Sequence, residues 1–135
     1  MSGKFVFSSE AERETLDWGT LGWISRPATT GARDLVVIEV NLLPGRGHNF
    51  HKHPDQEEVI YVLEGEVEQW LEQEHRVLRP GDAVFIDADV VHASFNVSAA
   101  PARLLAILGP CVGDGGYVVV EMGEREPWKG LRASA

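Results

Sequence analysis

The chain has 135 residues, of which 44% are hydrophobic and 24% charged, which places it in the range of one globular domain and outside that of disordered segments. Twelve basic against twenty-one acidic side chains give a formal charge of −9 with no Lys/Arg cluster, so phosphate backbones are repelled and nucleic-acid binding is not expected. The single cysteine, Cys111, excludes an intrachain disulfide, and no apolar run approaches the roughly 20 residues that cross a bilayer. A cytoplasmic protein without a membrane partner is the expectation, since the start Met1-Ser2-Gly3-Lys4 also lacks an apolar leader core.

In chain order, residues 1–33 read as an irregular or edge segment packing on a core. Ser9-Glu10-Ala11-Glu12 resembles a capping box, but the residues after it offer little to bury, so at most one short helical turn is expected. Trp18, Leu21, Trp23 and Ile24 then supply apolar surface among glycines and Pro27. Residues 34–108 form the predicted barrel core. Leu35 to Leu42 is a strand, rich in β-branched residues and closed by Pro44-Gly45. Glu58 to Leu63 and Val67 to Leu71 flank Glu64-Gly65-Glu66 as a hairpin. Both faces of its first arm are apolar, which requires cover on both sides, by a second layer or by another subunit. Trp18, Trp23 and Trp70 add apolar surface, so a homodimer is expected. After a turn placed at Glu72-Gln73-Glu74, with His75 in it, further strands follow at Val77-Leu78, Ala83 to Ile86, His92 to Val97 and Arg103 to Leu108. Residues 109–135 are read as one more strand around Tyr117 to Val120 and a loose end. Short strands parted by Gly, Pro, Asp and Ser, with many turn residues, predict an all-β sandwich or barrel.

The chemistry is concentrated in histidines. His51 and His53 are two apart, so in extended chain they share a face while Lys52 points away. Glu58 shares the parity of Ile60 and Val62, and His92 that of Ser94 and Asn96, so a carboxylate and a third imidazole can enter the same interior. Three neutral imidazoles and one carboxylate suit a first-row divalent metal such as Fe, Mn, Ni, Cu or Zn. Four protein ligands on an octahedral ion leave up to two positions for a substrate or dioxygen. His48 and His75 lie outside this pattern and are read as solvent-exposed. Gln69 either faces inward, where it can hydrogen-bond a ligand, or sits at an ordinary edge; Cys111 is read as a buried, inert thiol.

Gly45-(five)-His51-Lys52-His53-(four)-Glu58-(six)-Gly65 resembles the first motif of the cupin superfamily, and Gly81-(five)-Asp87-Ala88-Asp89-(two)-His92-(three)-Asn96 resembles the second. The resemblance implies a small antiparallel jelly-roll β-barrel, usually dimeric, with one metal on His51, His53, Glu58 and His92. Asp87 and Asp89 depart from the Pro and Gly common in the turn before the last ligand; Asp suits such a turn because it bonds local backbone and tolerates left-handed conformations. Glu57 competes with Glu58 for the carboxylate position, but only Glu58 keeps the six-residue step to Gly65.

Three function classes follow. The first is a metal-dependent enzyme on a small organic molecule, most concretely a dioxygenase-like activity. The second is a non-catalytic module that binds or senses a small molecule in the same pocket. The third, a storage role, finds no support in so short a chain.

Overall fold

The computed structural model describes residues 2–132. In chain order its strands are β1 (Glu12–Leu16), β2 (Gly19–Ser25), β3 (Val36–Leu42), β4 (Gly47–Lys52), β5 (Glu57–Glu64), β6 (Val67–Leu71), β7 (Glu74–Leu78), β8 (Ala83–Ile86), β9 (His92–Phe95), β10 (Ala102–Gly109) and β11 (Val120–Glu121). A 3₁₀ turn at Ser8–Glu10 and a four-residue helix at Pro27–Thr30 are the only helical pieces among the described residues. All pairings are antiparallel. Six strands, in the order β1-β2-β3-β10-β5-β8, face five in the order β11-β4-β9-β6-β7. The result is the expected all-β jelly roll, a sandwich whose two sheets keep separate edges.

The interior follows from strand alternation. In β3, Val36, Ile38, Val40 and Leu42 are buried while the residues between them are not, and they pack with Leu21, Trp23, Ile60, Val62 and Leu104 against Val67 of the opposite sheet. Each such side chain contributes roughly 1.5–3 kcal/mol when fully withdrawn from water. The β5–β6 hairpin turns at Gly65, whose φ is +81°; a Cβ there would also lie 2.9 Å from the Ala102 Cα, so the position takes only glycine without strain.

Four features differ from the sequence reading. Residues 12–25 form a regular β1–β2 hairpin, with β1 at the sheet edge. The segment Glu-Arg-Glu-Thr-Leu carries no hydrophobic alternation because its side chains are almost all exposed, and its ladder to β2, with the Trp23 Nε1–H donating to Glu14 Oε1 at 3.3 Å, holds it. His75 lies within β7, because the preceding turn is tighter than expected, with Glu72 at a φ of +53°. Of the Tyr117 to Val120 run, only Val120 is in a strand. The tail that follows is not loose. Met122, Trp128 and Leu131 cover Phe50, Trp70, Ala93 and Phe95 on the outer face of the five-stranded sheet, while the Arg132 guanidinium sits 3.8 Å over the Phe95 ring and donates to Glu68 at 2.7 Å.

The first hairpin arm meets its second layer on one side only. Glu58, Ile60 and Val62 are buried, whereas Tyr61 and Leu63 are exposed and Val59 is half-buried. Trp23 and Trp70 are buried within the chain itself, in the two separate clusters, and Trp18 packs against the main core.

Candidate metal centre

Three buried histidines converge inside the sandwich. His51 ends its run on β4, His53 follows one residue beyond that strand, and His92 opens β9, directly opposite His51 in the ladder. Their ligating atoms lie within 4.8 Å of one another. Glu58, buried on β5 of the facing sheet, brings Oε1 to 2.9 Å from His92 Nε2 and 3.4 Å from His53 Nε2. Glu57 is on the surface.

The three rings are oriented in the same way. His51 Nδ1 is 2.6 Å from the Asn49 carbonyl, His53 Nδ1 2.9 Å from that of Val118, and His92 Nδ1 2.9 Å from that of Val90. A carbonyl only accepts, so each Nδ1 carries the hydrogen, and in the neutral ring the lone pair falls on Nε2. Fixing the tautomer through the other nitrogen is the arrangement that metal-ligating histidines use. The Asp87–Asp89 turn contributes to it: Asp89 adopts a φ of +68°, the left-handed form that aspartate tolerates, and its N–H donates to the His53 carbonyl at 3.0 Å. Lys52 points out of the site and pairs with Asp89 at 2.9 Å.

The electrostatics fit a cation. Burial alone would raise the Glu58 carboxyl, but its interactions with His53 and His92 outweigh this and bring it down to about 2. Burial, together with the neighbouring His48, His92 and His53, pushes His51 well below its ordinary value. For His92, burial works downward, but the adjoining Glu58 charge reverses it and the value is raised. Despite their closeness, Glu58 Oε1 and His92 Nε2 do not meet at hydrogen-bonding angles, and both stand buried without a hydrogen-bond partner. Two such orphaned acceptors are costly unless something positive lies between them. The donor set of three imidazoles and a carboxylate is one that a divalent transition ion fits.

Two further residues shape this site. His48, expected in solvent, lies half-buried between Trp18 and His51: its ring stacks on Trp18 at 4.9 Å and on His51 at 3.6 Å, and its Nε2 is 3.5 Å from Glu121. Strand parity would set His48 and His51 on opposite faces, but the β4–β9 register shifts between them. Tyr117, from the loop after β10, leans over His53 with ring centroids 5.3 Å apart. Burial, then the charges of Glu14, Glu58 and Glu121, pushes its hydroxyl up to about 12, so it keeps its proton at neutral pH.

Other residues singled out in the sequence take structural places. Gln69 faces inward, yet its amide is used within the chain, accepting from Ser94 Oγ at 2.6 Å and donating to the Trp70 carbonyl at 3.2 Å. Asn96 ties Leu42 and Ala100 together through its amide. Cys111 is half-buried, its Sγ within reach of the Ala32 and Leu35 carbonyls. His75 stacks on Trp70, away from the centre.

His51, His53 and Glu58 line a cavity of about 40 Å³, floored by aliphatic residues including Ile38, Val40 and Leu104 and walled by Trp18, His48 and Tyr117. A larger one of about 280 Å³ lies between β7 and β8, lined by residues such as Leu71, Leu78 and Phe85. Of the two, only the smaller is lined by the candidate ligands His51, His53 and Glu58, so chemistry rather than size locates the candidate site.

An antiparallel jelly roll carrying a buried histidine cluster on neighbouring strands of one sheet, with a glutamate from the other, defines the class. The chain belongs to the cupins, with residues 38–108 matching the Cupin domain. It is 32% identical over 110 residues to a polyketide synthase protein, CurC, of Streptomyces cyaneus, a match covering 82% of this chain and 71% of that one. It is 33% identical over 76 residues to the pectin degradation protein KdgF of Dickeya dadantii, covering 56% of this chain and 69% of that one. Among solved structures, the polyketide cyclase RemF from Streptomyces resistomycificus superposes with a TM-score of 0.74 at 23% identity, over 96% of this chain and 92% of that one.

Proposed function

We propose that the protein is a metal-dependent cupin enzyme acting on an uncharged, oxygen-rich small molecule of the polyketide kind, with one divalent transition ion held by His51, His53, Glu58 and His92. The observation that carries this reading is the lining of the cavity. Around the histidines it offers aromatic and aliphatic walls and no Lys or Arg. A substrate bearing carboxylates or phosphates would find no cation there but the metal, and would meet Glu58, which is ionised at neutral pH. The likeness to the polyketide synthase protein CurC points the same way.

The bound ion would act as a Lewis acid on adjacent substrate oxygens, or, if ferrous, as an oxygen activator. The chain supplies the rest. Glu58 offsets part of the ion's charge, and the three carbonyl-anchored rings hold their lone pairs in place. About 40 Å³ admits little more than one water-sized group, so the substrate presents an edge to the centre while its body meets Trp18 and Tyr117. The Tyr117 hydroxyl, protonated at neutral pH, is available as a donor to a substrate oxygen.

Two reaction types share this centre, and the oxygen-dependent one is the dioxygenase-like form. Protein purified without chelator is assayed by elemental analysis, then loaded anaerobically with ferrous ion and offered poly-β-ketone, diketone and catechol substrates. Turnover without oxygen supports Lewis-acid cyclisation; turnover that consumes one oxygen molecule per substrate supports the dioxygenase. Tight substrate binding with neither outcome leaves the sensing module as the better reading, and absence of a stoichiometric metal defeats the proposal.

The outer face of the six-stranded sheet supports self-association. Val59 stands opposite both Phe85 and Ile107 in the ladders, and Tyr61 opposite Leu105, so these side chains form one apolar surface with Leu63. Phe85 is 54% exposed in the single chain. Such patches mark interfaces, and the cupin resemblance implies a dimer. Sedimentation equilibrium is expected to give twice the 14.9 kDa chain mass at micromolar concentration, and Phe85→Glu to return it to a monomer. A wild-type mass equal to one chain refutes this.

A further inference from the structure

We propose that Gln56 is a positioning residue of the metal centre, acting by holding residues 110–118 against it. The inference rests on the metal reading above. Gln56 occupies the turn between His53 and Glu58 and is 2% exposed. It is not among the residues lining the cavity, and its side-chain hydrogen bonds run to the loop that follows β10. Nε2 donates to the Pro110 carbonyl at 2.8 Å and to the Gly116 carbonyl at 3.0 Å, and Oε1 accepts from the Val118 N–H at 3.3 Å. Both donors of the amide are thereby used, and its carbonyl grips the residue that matters most.

That residue is Val118, whose own carbonyl accepts from His53 Nδ1 at 2.9 Å. Residue 117, one position earlier, is the tyrosine that leans over His53 and lines the cavity. Beside the packing of Tyr117 and Cys111 on the main core and the Cys111 Sγ contacts with the Ala32 and Leu35 carbonyls, the Gln56 amide is what fixes the loop's path past His53. Residues 113–115 are exposed glycines and an aspartate, and the loop's other main-chain bonds are a contact of Cys111 N–H with the Arg33 carbonyl and two short-range bonds between residues 112 and 116. The glycine-rich stretch between Cys111 and Tyr117 has few long-range main-chain bonds of its own, so it loosens at low cost once the glutamine bonds are removed. A buried glutamine thus ties the loop after β10, outside the matched Cupin domain, to one ring of the centre. Without it the Val118 carbonyl leaves His53 Nδ1, the ring loses its fixed tautomer and tilt, and Nε2 no longer presents its lone pair squarely.

The test uses the full chain and cobalt(II), whose visible absorption reports coordination geometry. Gln56→Leu keeps the approximate volume and removes all three bonds. Gln56→Glu keeps the acceptor for Val118 N–H, loses the two donors, and serves if the leucine variant does not fold. Loss of an outer-shell partner typically lowers metal affinity 10–100-fold. Cobalt affinity is expected to fall at least tenfold in Gln56→Leu, with shifted absorption bands and faster hydrogen exchange across residues 110–118. Val67→Ala, a core change on β6 outside the cavity lining, should lower the melting temperature without moving the bands. If the folded Gln56 variants bind cobalt with wild-type affinity and spectrum, the positioning role is overturned. If wild-type protein binds no cobalt, it is the metal reading that fails.

Discussion

Replacing His92 by alanine is expected to abolish stoichiometric metal binding and, in metal-free protein, to be among the most destabilising single changes in the chain. Both effects have one cause. His92 is 1% exposed, its Nδ1 is tied to the Val90 carbonyl, and its Nε2 is the nitrogen nearest to Glu58. Removing the imidazole takes one of three convergent nitrogens from the site and leaves an ionised carboxylate buried beside one fewer partner. Breaking a buried pair from one side typically costs about 3–5 kcal/mol, and the vacated ring volume adds a cavity term. Denaturant unfolding in excess chelator checks the stability effect, and isothermal titration with zinc or cobalt checks the binding. A variant that keeps wild-type affinity would place the ion elsewhere, and one that unfolds at the wild-type midpoint would show that Glu58 is not held by His92.

Glu58→Gln is expected to separate stability from metal binding. Glutamine fills the same space without charge, and the histidines beside it can be neutral, so no uncompensated ion is created. Metal affinity should drop by two orders of magnitude or more because the only anionic ligand is lost, while the metal-free protein should lose little stability at neutral pH. The pH dependence supplies the diagnostic. The Glu58 carboxyl is lowered from 4.5 to about 2 in the folded chain, so its contribution is complete above the unfolded value and disappears as pH falls from about 4.5 toward 2. His92 is raised, so its contribution is complete below its ordinary value and disappears as pH rises through the raised one. Metal-free wild-type protein should therefore weaken on both the acid and the alkaline side, and Glu58→Gln should flatten both limbs. Equal acid sensitivity in the two proteins would assign the effect to other carboxylates.

Much of the architecture was legible because its signals are local. The alternation in Val36 to Leu42 marks which residues face inward without reference to any other strand, and the two-residue step from His51 to His53 brings both rings to one face. What escaped the sequence depends on distant partners or on broken parity. Strand β1 has no hydrophobic rhythm because nearly all its side chains meet water, and only its ladder to β2 makes it a strand. His48 reads as solvent-exposed because it lies outside the ligand motif, and the register shift between it and His51 that brings the two rings together has no signal in the sequence. Trp128 covers Phe50 and Trp70 from far along the chain, and Gln56 meets its hydrogen-bond partners at residues 110–118. Neither contact leaves a trace in the pattern of neighbouring residues. The two apolar faces of β5 predict cover on both sides, but within the chain only the face of Ile60 and Val62 is covered while Tyr61 and Leu63 stay exposed.

The three imidazoles take their bearings from oxygens that belong to the polypeptide itself, at positions 49, 90 and 118. Such an acceptor is present whichever amino acid occupies the position, and no substitution deletes it. Lineages diverging from this chain, or a laboratory library, can therefore alter Asn49, Val90, Val118 and the walls around them while the ring orientations persist, so long as the chain path holds. Ligand geometry is inherited with the chain's trace, and new substrate preferences are open to drift.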